Sequence, residues 1–217
     1  MPLAVNVYDA LRAAILRGDY PFGAHLGEVE LAKSLGTSRT PVREALRLLT
    51  ADGLVTALPN KGVRVASWTG QDLNEIYELR ALLEGYGARQ AAPRIDLPML
   101  DHLDELCDEM QMASRPGPEQ DLDLLSKLNT EFHRAIYIAS DNDRLEGLIE
   151  TLVKIPLVLS TFSRYSGEDL ERSQKQHSEL VLALRHRDGM WAESVMKAHI
   201  LSARSVLVDS LDSGSES

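Results

Sequence analysis

Ser38–Leu49, SRTPVREALRLL, reads as a helix that buries one side and arms another. Val42, Ala45, Leu46 and Leu49 recur at three- and four-residue intervals, which puts them on one helical face. Arg39, Arg43 and Arg47 are each four apart and form a cationic ridge beside that face. Pro41 falls in the first turn, where its missing N–H costs little, and Ser38 or Thr40 is placed to cap that turn. Upstream, Glu28–Leu35 predicts a short helix with Val29, Leu31, Ala32 and Leu35 apolar, ended by Gly36-Thr37. Two short helices joined by a tight glycine turn, the second opening on arginine, are the plan of a helix-turn-helix. The first turn of such a helix offers side chains to base edges, while its arginines also meet phosphate.

Three arginines on a solvated helix face would look the same in isolation, so the residues that follow matter. After Gly53, Leu54–Leu58 and Val63–Ala66 predict two short strands around the turn Pro59-Asn60-Lys61-Gly62. A hairpin directly after the second helix is a wing with Lys61-Gly62 at its tip. Glycine lets backbone approach DNA closely, and lysine neutralises phosphate. The run L-A-x-x-L-G-T-S-R-T-P-V-R-E-A-L, Leu31 to Leu46, resembles the GntR-type winged-helix transcription regulators of bacteria, and the likeness extends over Val7–Ala66. That resemblance implies double-stranded DNA as partner, with contacts at Arg39, Thr40, Arg43, Arg47 and Gly62.

A chain of 217 residues has room for one large or two small domains. Its net charge of −10 argues against a polyanionic partner until the distribution is examined. Residues 1–68 carry eight Lys/Arg against six Asp/Glu, a net of +2; the rest carries 15 against 27, a net of −12. Only the first part is suited to a polyanion, and with so modest an excess the placement of its arginines must do the work. The single cysteine, Cys107, cannot close an internal disulfide and reads as packing in an acidic helix, which favours a reducing cytosol. No apolar run approaches 18 residues and no basic-then-apolar leader opens the chain, so a cytoplasmic protein without membrane contact is expected.

The expected fold is mainly α: a winged helix-turn-helix domain over residues 1–68, an all-α antiparallel bundle of about six helices over 69–208, and a disordered polar tail over 209–217. Val5–Arg17 is the first amphipathic helix, with Val7, Leu11, Ala14 and Ile15 inward. In the second part the apolar stripes predict helices over 72–92, 97–113, 120–139 and 142–163, the last kinked at Pro156. Two more follow, from Gly167 to about Arg187 and from Gly189 to about Val208.

Helical phase sorts the six histidines. His177 shares a face with Leu180, Val181 and Leu184; His199 shares one with Ala192, Val195, Met196 and Val206. His133 lies beside the Leu128–Phe132–Ile136 stripe, with Asn129 one turn before it. His25, His102 and His186 read as exposed. One inward histidine is most simply a hydrogen-bonded core residue. Three are harder to reconcile with packing, since each brings a polar edge into an apolar bundle. A divalent transition metal satisfies all three together, zinc or nickel foremost.

N-T-E-F-H-R-A-I, then Q-H-S-E-L-V-L-A-L, then M-K-A-H-I resemble the FadR C-terminal domain, FCD, over Asp72–Val208. The resemblance implies a metal held by Asn129, His133, His177 and His199, where an Asp is commoner than Asn129 in the family. It also implies a homodimer on a palindromic operator, and a small organic acid as effector that alters operator affinity, most relatives being repressors. Arg80 in IYELRALLE fits two readings equally, pairing with an effector carboxylate or with Glu84 one turn on. Tyr77 and Arg134 are further candidates. The rival function is a metal-dependent enzyme in which the three-histidine site activates water. Glu131 and Glu179 are offset from the histidines by two residues, which leaves that reading without a general base, and no nucleophile motif is found. A fatty acyl thioester fits a polar interior poorly.

Overall fold

The computed structural model describes residues 3–17, 19–21, 23–58, 62–67, 69–153 and 161–214. The chain divides into two compact units, the first running to Thr69 and the second from Gly70. In the first unit the order is α1 (Leu3–Arg17), β1 (His25–Leu26), α2 (Glu28–Ser34), α3 (Arg39–Ala51), β2 (Val55–Leu58) and β3 (Gly62–Val65). Val42, Ala45, Leu46 and Leu49 of α3 are all buried, packed with Leu11, Leu26, Leu31, Val55 and Val65 in one core. Burying a Leu or Val side chain contributes about 1.5–3 kcal/mol, so this face, not the arginines, fixes where α3 lies. Ser38 occupies the N-cap position in extended geometry, but its hydroxyl makes no capping bond. Tyr8 Oη donates to Asp52 Oδ2 at 2.5 Å, tying α1 to the end of α3.

Two details differ from the sequence reading. Val29 is 62% exposed, because it sits about 200° round a helix from Leu31, on the opposite face. The hairpin gains a third strand: β1 pairs with β3 through His25↔Arg64 and Leu26↔Val63, giving the antiparallel order β1-β3-β2. Two residues are too few to show any period. Gly36 ends α2 at φ +62, with Thr37 N–H bonded to the Ala32 carbonyl. A residue with a Cβ is strained in that conformation.

The second unit is built of helices joined by short connections among its described residues: α4 (Gly70–Ala91), α5 (Leu97–Ala113), α6 (Leu122–Ile138), α7 (Asp143–Leu152), α8 (Gly167–Arg185) and α9 (Gly189–Gly214). Side chains open four of them. Asp96, Asp121 and Asn142 accept from the backbone N–H three residues on, and Ser166 with Asp169 forms a full capping box. The two longest helices, α4 and α9, pack against each other, α5 lies on α6 and α8, and α4 also meets α6 and α7. At Gly85 of α4, a Cβ would come within 2.9 Å of Lys197 Cγ on α9.

Helix α7 stops at Leu152 rather than running on to Ser163. Leu152 is four residues before Pro156, whose ring displaces the i−4 carbonyl and whose nitrogen cannot bond to it. The expected kink at Pro156 itself lies outside the described residues. Helix α8 ends two residues early because Arg187 takes φ +56. Helix α9 continues to Gly214, so Asp209–Gly214 are helical where a disordered tail was expected. Nothing between Val208 and Gly214 is a proline or a glycine, so the chain offers no earlier stop.

Candidate nucleic-acid interface and candidate metal centre

Arg39, Thr40, Arg43 and Arg47 all face solvent on α3. Arg43 makes a bidentate pair with Glu28 of α2, Nε to Oε1 at 3.0 Å and Nη2 to Oε2 at 2.9 Å. Arg39 Nη2 reaches the same Oε2 at 3.1 Å, and Arg47 pairs with Glu44 at 3.2 Å. The Arg43 hydrogen bonds hold the Glu28 carboxyl down at about 2, against the opposing effect of partial burial and with help from Arg39. Both guanidinium groups are therefore pre-aimed by one carboxylate, a contact the sequence reading did not include. Gly62 opens β3, exposed and at φ +82, where a Cβ would lie 3.3 Å from the Leu26 carbonyl oxygen and 3.5 Å from His25 Nε2. Lys61 lies outside the described residues.

In the second unit His133 on α6, His177 on α8 and His199 on α9 are all buried, and their ligating nitrogens lie within 4.8 Å of one another. Ring centroids are 4.5 Å apart for His177 and His199, 5.1 Å for His133 and His199, and 5.8 Å for His133 and His177. Two neighbours set the tautomers. Glu84 Oε2 accepts from His133 Nδ1 at 2.7 Å, and Gln176 Oε1 accepts from His199 Nδ1 at 3.2 Å. With both protons on Nδ1, the two Nε2 atoms face each other as bare lone pairs, 3.3 Å apart. Burial, then His133, lowers the His199 pKa to about 3; burial, then His199 and His133, lowers that of His177 well below its usual value.

The donor set fits a cation. Both nitrogens of His177 and Oδ1 of Asn129 are buried without a hydrogen-bond partner. Two nitrogens bound tetrahedrally at about 2.0–2.1 Å from one ion are about 3.3–3.4 Å apart, the separation seen between His133 and His199. Four lone pairs with nothing to donate to them are costly in an apolar bundle, and one divalent ion satisfies them all.

Beside the histidines lies a cavity of about 20 Å³, lined in part by Asn129, His133, His199, Arg80 and Ser173. That volume admits one ion or one water, no more. Arg80 makes the pair with Glu84, Nε to Oε1 at 2.7 Å, and also lines the cavity, its guanidinium over the Tyr77 ring. Burial opposes ionisation of Glu84, but Arg80 and then His133 hold its carboxyl at about 2. Tyr77 also lines the cavity, its hydroxyl 2.9 Å from Thr161 Oγ1. Arg134 does not: it is on the surface, paired with Glu146 at 3.0 Å. Glu131 pairs with His102, and Glu179 accepts from Trp191 Nε1, both away from the histidines. Burial first, then Asp104 and Asp108, pushes the Cys107 thiol up to about 12, an inert group.

Sequence reasoning missed Gln176 and Ser173 and saw Glu84 only as a partner for Arg80. For Ser173 a signal was present: it precedes His177 by four residues, as Asn129 precedes His133. Its buried hydroxyl has no partner.

A helix-turn-helix closed by a hairpin, followed by a helical unit with a buried polar centre, defines a DNA-binding regulator with a sensory domain. Residues 3–65 match the bacterial regulatory proteins of the gntR family, and residues 75–202 match the FCD domain. The chain belongs to the GntR family, in the group whose second domain is FCD, a family of transcription regulators rather than enzymes. It is similar to YdhC of Bacillus subtilis, an uncharacterized HTH-type transcriptional regulator, with 32% identity over 83% of this chain and 81% of that one. The HTH-type transcriptional repressor GlaR of Escherichia coli is 29% identical over 92% of this chain and 93% of its own. Among solved structures, E. coli McbR/YncC aligns over 97% of this chain and 99% of that chain, with 25% identity and a TM-score of 0.69. No helix among the described residues is long and apolar enough to cross a membrane.

Proposed function

We propose that the protein is a cytoplasmic repressor whose operator affinity is set by a small organic acid bound at a metal in the second unit. Arg39, Thr40, Arg43 and Arg47 read and hold the major groove, and the wing residues Lys61 and Gly62 meet the adjoining backbone. Asn129, His133, His177 and His199 hold zinc or nickel. When bound, that ion supplies a Lewis-acidic anchor for a carboxylate oxygen. Glu84 and Gln176 keep the His133 and His199 rings turned so that Nε2 faces inward, and Arg80 offers a cation to the rest of the acid. The observation that carries this reading is the convergence of three buried histidines from three helices, with both His177 nitrogens and Asn129 Oδ1 unpartnered, beside a buried arginine.

The repressing sign is supported by the likeness to GlaR, which is named a repressor. A homodimer on a palindromic operator is supported by the exposed stripe Leu79, Leu82 and Tyr86, which shares one face of α4. Elemental analysis of purified protein, followed by thermal unfolding with and without a panel of carboxylic acids, tests the reading. About one ion per chain, absent from His177→Ala, with an acid that raises Tm only in metal-loaded protein, is expected. An acid that stabilises chelator-stripped protein equally well removes the metal from the site.

A further inference from the structure

With a metal at this centre, as proposed above, the formal charge of the site has to balance. Asn129 and three imidazoles are neutral donors. Among the described residues that line the cavity or bond to His133, the ionised side chains are Arg80 and Glu84, which cancel each other across a 2.7 Å pair. The remaining cavity residues Tyr77, Thr161, Phe162, Tyr165, Ser173, Ile200 and Ala203 bring no formal charge. A divalent ion at this centre therefore carries its full +2 into a site whose donors are at least nine-tenths buried. Uncompensated charge in such a place is expensive, and proteins avoid it by pairing.

We infer that the ion and a dianionic ligand bind as one mutually dependent pair, with Asn129 the residue that enforces the dependence. An aspartate at this position would supply one negative charge permanently. The amide supplies an oxygen of the same shape without it. The balancing charge must come with the ligand, and a dicarboxylate restores neutrality where a monocarboxylate does so halfway. Binding free energies are reciprocal, so the acid tightens the hold on the ion by the same factor as the ion tightens the hold on the acid. The protein then answers more strongly to the acid and the metal together than to either alone. The 20 Å³ cavity is too small for a dicarboxylate, so the pair enters with an outward movement of the lining side chains.

The test is calorimetric titration of chelator-stripped full-length protein with Zn2+, alone and with succinate, malonate or malate, corrected for zinc held by the acid. Acetate is the monoanion and acetamide the neutral comparison. Wild type is expected to bind Zn2+ about tenfold or more tightly with at least one dicarboxylate, less so with acetate and not with acetamide. In Asn129→Asp, an isosteric change, Zn2+ alone should bind about tenfold more tightly than in wild type, and the dependence on acid should shrink. Zinc affinity in wild type that none of the three dicarboxylates changes overturns the inference while leaving the metal site intact. So does an Asn129→Asp affinity equal to wild type. Protein that binds no zinc under any of these conditions overturns the metal reading beneath it.

Discussion

Arg39 and Arg43 owe their posture to one acidic residue on another helix. With its carboxyl held at about 2, Glu28 stays ionised at any pH where DNA binding is measured, so only substitution releases the clamp. Each exposed pair contributes little to stability, and its value lies in orientation. Glu28→Gln should raise affinity for random duplex, because a negative charge leaves the interface, yet narrow the gap between operator and random DNA. Arg43→Ala should weaken operator binding by about 1–3 kcal/mol. Anisotropy titrations on an operator selected from random duplexes check both; an Arg43→Ala protein that binds like wild type refutes the assigned surface. At this scale the sequence was a good guide to what lies on one helix. Asn129 and His133, or the three arginines, are separated by single turns and so are legible in spacing. Glu84 beneath His133 and Gln176 beneath His199 come from different helices, and no periodicity encodes which helices meet.

Among the elements, α3 is held by its apolar face and presents its charged one. Leu49 is fully buried at the centre of that core, and Leu49→Ala should lower the stability of the first unit by about 3 kcal/mol in urea unfolding. A loss below 1 kcal/mol would mean that the face does not fix the helix. The helices were legible because each has a long apolar stripe and a polar start signal, as at Ser166 and Asp169. The departures have local causes. Strand β1 spans two residues and carries no pattern of its own; it exists because β3 offers it a free edge. The early end of α7 follows from Pro156, which acts on the carbonyl four residues back, a reach longer than a simple kink implies.

For the whole molecule, the functional split follows the electrostatic one, a slightly basic unit that meets a polyanion and an acidic unit that senses. Dimerisation should depend on α4: Leu82→Glu places a charge in the stripe with Leu79 and Tyr86, and the protein should sediment as a monomer with folding intact. A variant that stays dimeric moves the contact elsewhere. The most direct measurement is operator affinity in the presence of zinc and whichever acid raises the Tm of the metal-loaded protein, for wild type and His177→Ala. A fall of about tenfold or more in wild type, with no change in the variant, is the expected result. Equal affinity in wild type with and without zinc and acid would contradict the proposal that the histidine centre governs DNA binding.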